Sequence, residues 1–298
     1  IDAKEIKMKD FDLIITNLPL QTVTVSHKDG KENRQPQWQE LCEHFVTLLK
    51  PGTGVYHAIQ SRNGHSDSAT NKINKVMENN TVSQLECNVN HYFSKQKIKG
   101  DFVSLTIQNK KNDPNIFKIV GVDGVEFDYD FKKYGFIPFM ITEDLYNVFD
   151  KFISYKDKFT SWKESRENAP KTRGDRLLFI SGRNGHYIKR IIATNKDEDV
   201  PNVQYSLMLT DYTNVDINYE VLEKNLQLPI YRFIYDFLGA NRGQSRTWIL
   251  RKMPVFKDMF TKEITIDEHF NLLGITKVDG EKILNYLSNE GSLGNGKL

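Results

Sequence analysis

The residues best suited to chemistry lie in the run Asn17-Leu18-Pro19-Leu20. They follow Phe11-Asp-Leu-Ile-Ile-Thr16, a short apolar run of the buried parallel-strand type. In an open α/β sheet the carboxyl ends of strands face the ligand crevice, so this spacing predicts a ligand beside Asn17. A carboxamide offers one acceptor and two donors. Pro19 has a fixed φ and no N–H, so its carbonyl is held in one direction. Asn plus a directed carbonyl makes a receptor for an exocyclic amino group, which has two protons to donate. A plain strand-end turn can have the same spelling, so these residues define chemistry only in context. Elsewhere the pattern offers less. His57, His65, His91 and His186 are dispersed, without the spacing a metal site needs. Cys42 falls on an apolar helical face and reads as a core thiol. Two cysteines, Cys42 and Cys87, make neither a disulfide framework nor a four-ligand zinc site, and fit a reducing, cytoplasmic compartment.

The elements that must position Asn17 alternate. After the strand at 11–16, residues 21–37 are polar and read as a long loop. Trp38, Leu41, Cys42, Phe45, Leu48 and Leu49 recur at helical spacing, closed by Pro51-Gly52. Gly54–Gln60 is the next strand and Ser68–Asn79 the next helix. Gln84–Asn90 and Asp101–Asn109 read as two strands around a basic turn. This order predicts the second half of a doubly wound α/β sheet with a closing hairpin. Beyond Lys110 the alternation stops. Helices are expected at 139–155, 226–238, 267–273 and 279–287, a hairpin at 176–193, and a frayed tail from Gly291.

Composition sets outer bounds. The chain has 298 residues, 39% hydrophobic and 27% charged, with 18 Phe and 13 Tyr. That is the make-up of a globular chain and excludes extensive disorder. No apolar run approaches the length of a membrane-spanning helix. The net charge of +2 hides a strong division. Residues 151–190 hold eleven Lys/Arg against four Asp/Glu, and 241–262 hold six against one, while 197–236 hold two against eight. Clustered cations in the second half point to a polyanion, double-stranded DNA foremost. Arg183, Arg190, Arg242 and Arg246 are the candidate contacts, since the guanidinium fork suits guanine and phosphate.

The run Asp10-Phe-Asp-Leu-Ile-Ile-Thr-Asn-Leu-Pro-Leu20 resembles the catalytic motif of the DNA N6-adenine methyltransferases, written Asn/Asp-Pro-Pro-Tyr/Phe after just such a strand. Leu48-Leu-Lys-Pro-Gly-Thr-Gly54 is similar to the turn that follows it there. Phe93-Ser-Lys-Gln-Lys-Ile98 resembles the segment where TaqI-like members place an aromatic residue. Met253-Pro-Val-Phe256, Asp267-Glu268 and Leu272-Leu-Gly-Ile-Thr276 resemble the ending of type IIG restriction–modification enzymes. The matched stretches cover 1–110 and 226–288, in the family's order.

The resemblance implies a partial, Rossmann-like methyltransferase sheet over residues 1–115 and a mixed α+β target-recognition domain over 116–298. It implies S-adenosylmethionine as cofactor, with Asp2 and Asn17 near it, and methyl transfer to N6 of an adenine flipped out of a specific DNA site. Asn17 and Pro19 would hold the amino group, and Leu20 and Phe93 the ring. Two departures bear on this. Leu18 replaces Pro, as in the Asn-Leu-Pro-Tyr of rRNA adenine methyltransferases, which keeps an RNA substrate in view. Leu20 replaces the stacking aromatic, a contact that contributes roughly 1–3 kcal/mol. The alternative is therefore a relative without catalysis that binds DNA or serves as one subunit of a split enzyme. The family's Gly-rich cofactor loop has no counterpart after Ile1. The expectation is that an upstream half or a partner chain supplies it, covering a strand at 11–16 that is apolar on both faces.

Overall fold

The computed structural model describes residues 9–17, 22–25, 32–35, 38–61, 72–87, 89, 102–111, 116–158, 176–181, 188–194, 205–208, 216–238, 249 and 252–293. Its two compact units divide between Glu143 and Asp144.

The first unit is α/β, built on a mixed six-stranded sheet. Its strands are β1 (Leu13–Asn17), β4 (Val55–Ser61), β5 (Thr81–Glu86), β6 (Phe102–Gln108), β7 (Ile116–Val120) and β8 (Glu126–Asp130), in the order β1-β4-β6-β5-β7-β8. β1 runs parallel to β4 and β5 parallel to β7; the remaining pairs are antiparallel. Helix α1 (Trp38–Leu48) carries the chain from β1 to β4, and α2 (Lys72–Asn79) from β4 to β5.

One sheet face is a core. Tyr56 and Ala58 of β4, Leu105 and Ile107 of β6 and Leu85 of β5 are buried there. They lie under Cys42, Phe45, Val46, Ile73 and Val76 of the two helices, whose apolar residues recur at the period the sequence predicts. The side chain of Gln39 accepts a bond from the N–H of Lys72 at 2.6 Å and so ties the start of α2 to α1. On the opposite face, Leu13 and Ile15 are 56% and 68% exposed, and β1 stands at the end of the strand order.

A tight turn seats the start of β1. The N–H of Phe11 donates to Leu48 O at 3.1 Å, Lys50 N–H donates to Phe11 O at 2.9 Å, and Gly54 N–H to Lys50 O at 2.8 Å. Only glycine fits at 54. A Cβ there would stand 2.7 Å from both Lys50 N and Phe11 O, which are backbone atoms and cannot swing aside.

Several expectations are corrected. Residues 21–37 are not all loop: β2 (Thr22–Val25) and β3 (Glu32–Gln35) pair antiparallel, an arrangement in which backbone bonds outweigh a polar sequence. β5 begins three residues earlier than expected, with a register shift between Val82 and Gln84. The six-stranded sheet continues past residue 115, where β7 pairs with β5 and β8 with β7. α3 (Phe131–Tyr134) closes that hairpin, capped by Asp130 and ended by Gly135 at φ 71.

The second unit, Asp144–Leu298, has a helical core. α4 (Glu143–Ser154) sets Phe149 and Phe152 against Phe233 and Phe237 of α6 (Pro229–Leu238), with ring centroids 5.7–6.2 Å apart across the pair. The helix expected at 226–238 starts three residues later, at Pro229, which fits a first helical turn but not an interior, and α5 (Tyr219–Leu226) precedes it. The buried amide of Asn225 donates to Met259 O and Lys262 O and accepts from Ile264 N–H, clamping the loop around the 3₁₀ turn Lys257–Phe260 onto α5. α7 (Ile266–Leu272) starts with a capping box between Thr265 and Glu268. α8 (Lys277–Leu293) continues past Gly291, where fraying was expected, and Gly280 lets it approach the Phe270 ring. β9 (Arg176–Ser181) and β10 (Ile188–Thr194) form the expected hairpin, with β11 (Tyr205–Met208) added on the far side of β9.

Candidate functional site

Asn17 closes β1 opposite Ile59, at the end of the sheet where β4 also finishes and β6 begins. Because side chains alternate along a strand, Asn17 shares the open face with Leu13 and Ile15, and it is exposed. His57 lies on the same face of β4, its Nδ1 2.9 Å from the Thr106 hydroxyl.

The covered face beneath is held by polar contacts the sequence did not single out. Thr16, next in chain to Asn17, shares a hydrogen bond with the Tyr56 hydroxyl at 2.9 Å. Tyr56 in turn bonds the Cys42 thiol and packs beside the Phe45 ring, centroids 6.2 Å apart. Burial pushes the Cys42 thiol up to about 12, and burial together with Cys42 raises the Tyr56 phenol. Neither ionises at neutral pH, so Cys42 is a buried core thiol and not an activated nucleophile. The signal for Tyr56 was available. In Val55-Tyr-His-Ala-Ile-Gln60, period-2 alternation puts Tyr56, Ala58 and Gln60 on one face, and all three are buried.

The carboxyl ends of β1 and β5 lead into 18–21 and 88–101, the segments that contain Pro19, Leu20 and Phe93. Those three residues, together with Asp2, Arg183, Arg242 and Arg246, lie outside the described residues. Arg190 is placed by its backbone alone, in β10 opposite Ile180 of β9. The structure thus sets Asn17 at the expected strand end and describes no side chain of the other candidates.

Among the described residues no group of three His, Cys, Asp or Glu side chains is arranged to hold a metal ion. No described helix is long and apolar enough to cross a membrane. The chain matches no protein-family model and no curated protein.

Proposed function

We propose that the chain is a site-specific DNA adenine-N6 methyltransferase, or the part of one that holds the amino group and the duplex. The observation that carries this is Asn17 at the carboxyl end of β1, exposed beside the end of parallel β4, in a sheet built from the expected strand–helix–strand–helix–hairpin order. A Rossmann-like methyltransferase sheet over the first unit is part of the same reading, with cytoplasmic DNA as the setting.

The donor set fits the implied cofactor on the side that is described. Asn17 presents an uncharged amide, which can accept a proton-bearing nitrogen without placing a second positive charge near a sulfonium. S-adenosylmethionine supplies the electrophilic methyl group when bound. Asn17 Oδ1 and the Pro19 carbonyl accept hydrogen bonds from the two N6–H groups of an adenine turned out of the duplex. Both bonds draw the nitrogen lone pair out of the ring system and aim it at the methyl group. This is catalysis by positioning and electrostatics, with no covalent enzyme intermediate. Asn17→Ala removes one of the two acceptors, and methyl transfer from labelled S-adenosylmethionine to DNA is expected to vanish. A variant that still methylates overturns the assignment, and transfer to RNA in place of DNA redirects it.

The second reading, a DNA-binding relative or split-enzyme subunit without catalysis of its own, is favoured by Leu20, which has no ring to stack on a base. Calorimetric titration of S-adenosylmethionine into the full-length product separates the two: heat supports the enzyme, and none supports the relative.

A further inference from the structure

Asn17 ends a strand that, among the described residues, pairs with β4 alone. A strand held by one ladder frays most easily at its ends, and a side chain on its last residue moves with it. The start of β1 is tied by the bonds of Phe11 to Leu48 and Lys50, so the carboxyl end needs a hold of its own. The Tyr56 hydroxyl supplies one. In the parallel register Tyr56 stands beside Ile14, and Ala58 beside Thr16. The phenol reaches forward along the covered face past Ile14, and its hydroxyl shares a hydrogen bond with that of Thr16 at 2.9 Å. The ring itself is fixed by the core. Tyr56 is fully buried, and the Phe45 ring of α1 packs beside it at 6.2 Å. Phenylalanine would fill almost the same volume there; what the hydroxyl adds is polar contact, and the contact with Thr16 falls one residue from Asn17.

We propose that Tyr56 is a positioning residue for the candidate site: held in the core, it fixes the end of β1 through the Thr16 hydroxyl and with it the direction of the Asn17 carboxamide. This rests on the amino-group reading of Asn17 above and adds to it a residue that touches no substrate. Successive side chains of a strand point to opposite faces, so Thr16 turns to the covered side and Asn17 to the open one. A bond on the first face sets the backbone from which the second side chain projects. Catalysis by positioning requires that rigidity. Two acceptors must meet two N–H groups at once, and a misplacement of about 1 Å in such an arrangement costs about a hundredfold in rate. Capture of the duplex is a different matter, because it draws on phosphate contacts away from the strand end. Loss of the hold therefore lowers kcat and leaves KM for DNA as it was.

Thr16→Val keeps the β-branched shape, removes the hydroxyl and leaves Tyr56 its contact with Cys42. Methyl transfer from labelled S-adenosylmethionine to long, mixed-sequence duplex DNA is measured on the full chain, at a temperature where each variant is folded. In Thr16→Val kcat is expected to fall roughly 10–100-fold with KM for DNA unchanged. Thr16→Ser, which retains the hydroxyl, is expected to restore the rate. Tyr56→Phe loses the same bond and is expected to be at least as slow, and the double variant no slower than Tyr56→Phe alone. A purely structural role would lower the melting temperature and leave kcat of the folded enzyme as it is. Hydrogen exchange, read by mass spectrometry on a peptide covering 11–17, needs no activity. Exchange there is expected to quicken in Thr16→Val while that of α1 keeps its wild-type rate. An unchanged kcat, an unchanged exchange rate in β1, or a further slowing in the double variant overturns the role. If the wild type transfers no methyl group, exchange alone decides: faster exchange keeps Tyr56 as the hold on β1 and discards the enzyme, and unchanged exchange discards both.

Discussion

His269 shows how far burial can move a single residue. It is 1% exposed, sandwiched between the Tyr231 ring at 5.0 Å and the Phe256 ring at 4.7 Å. Burial lowers its basicity from 6.5 to about 4. The unfolded chain therefore binds a proton, and the folded one does not, between those two pH values. Stability is full above about 6.5 and falls as the pH drops towards about 4, by about 3 kcal/mol over that window. His269→Phe keeps the aromatic sandwich and removes the titration. Urea midpoints at several pH values are expected to fall less steeply in the variant, and parallel curves would refute this. Tyr56 makes a complementary case, because its hydroxyl serves both Thr16 and Cys42. Tyr56→Phe leaves the buried Cys42 thiol and the half-buried Thr16 hydroxyl without that partner and is expected to cost about 1–3 kcal/mol in urea denaturation. No change would mean that the Thr16 hydroxyl finds another acceptor at no cost.

At the scale of elements, the turn between α1 and β4 does more than reverse the chain. Its bonds to Phe11 make the start of β1 and the end of α1 one unit, which sets where Asn17 falls at the far end of the strand. Gly54→Ala drives a Cβ into backbone atoms of Lys50 and Phe11. The expected loss is about 1–3 kcal/mol, typical of overpacking in a rigid site, and a thermal melt measures it. An unaltered melting temperature would show that β1 can slide to make room. These elements were largely legible beforehand. α1, β4 and the Pro51-Gly52 stop follow from apolar spacing and breaker chemistry, which act within a few residues. The pair β2–β3 was not legible, since Glu32-Asn-Arg-Gln35 has no apolar period and its strand exists through bonds to Thr22–Val25. Pro229 should have marked the start of the helix expected at 226–238, and the apolar run through Phe237 hid it.

Across the whole molecule, charge and connectivity act over distances that no local pattern spans. The sequence by itself determined that an apolar strand leads to Asn17, that helices with an apolar face follow, and that cations gather in 151–190 and 241–262. Each of those follows from the order of residue types along a short stretch. Tertiary structure alone decided that β6 inserts between β4 and β5, and that β7 and β8 join the first sheet. It also decided that Tyr56 lies beneath Thr16, that the open face leaves Leu13 and Ile15 exposed, and that Lys158 bridges Pro254. A strand's own alternation says which of its residues share a face but not which strand lies beside it. Partner choice is settled by contacts between residues tens to a hundred positions apart, and those contacts exist only once the chain has folded.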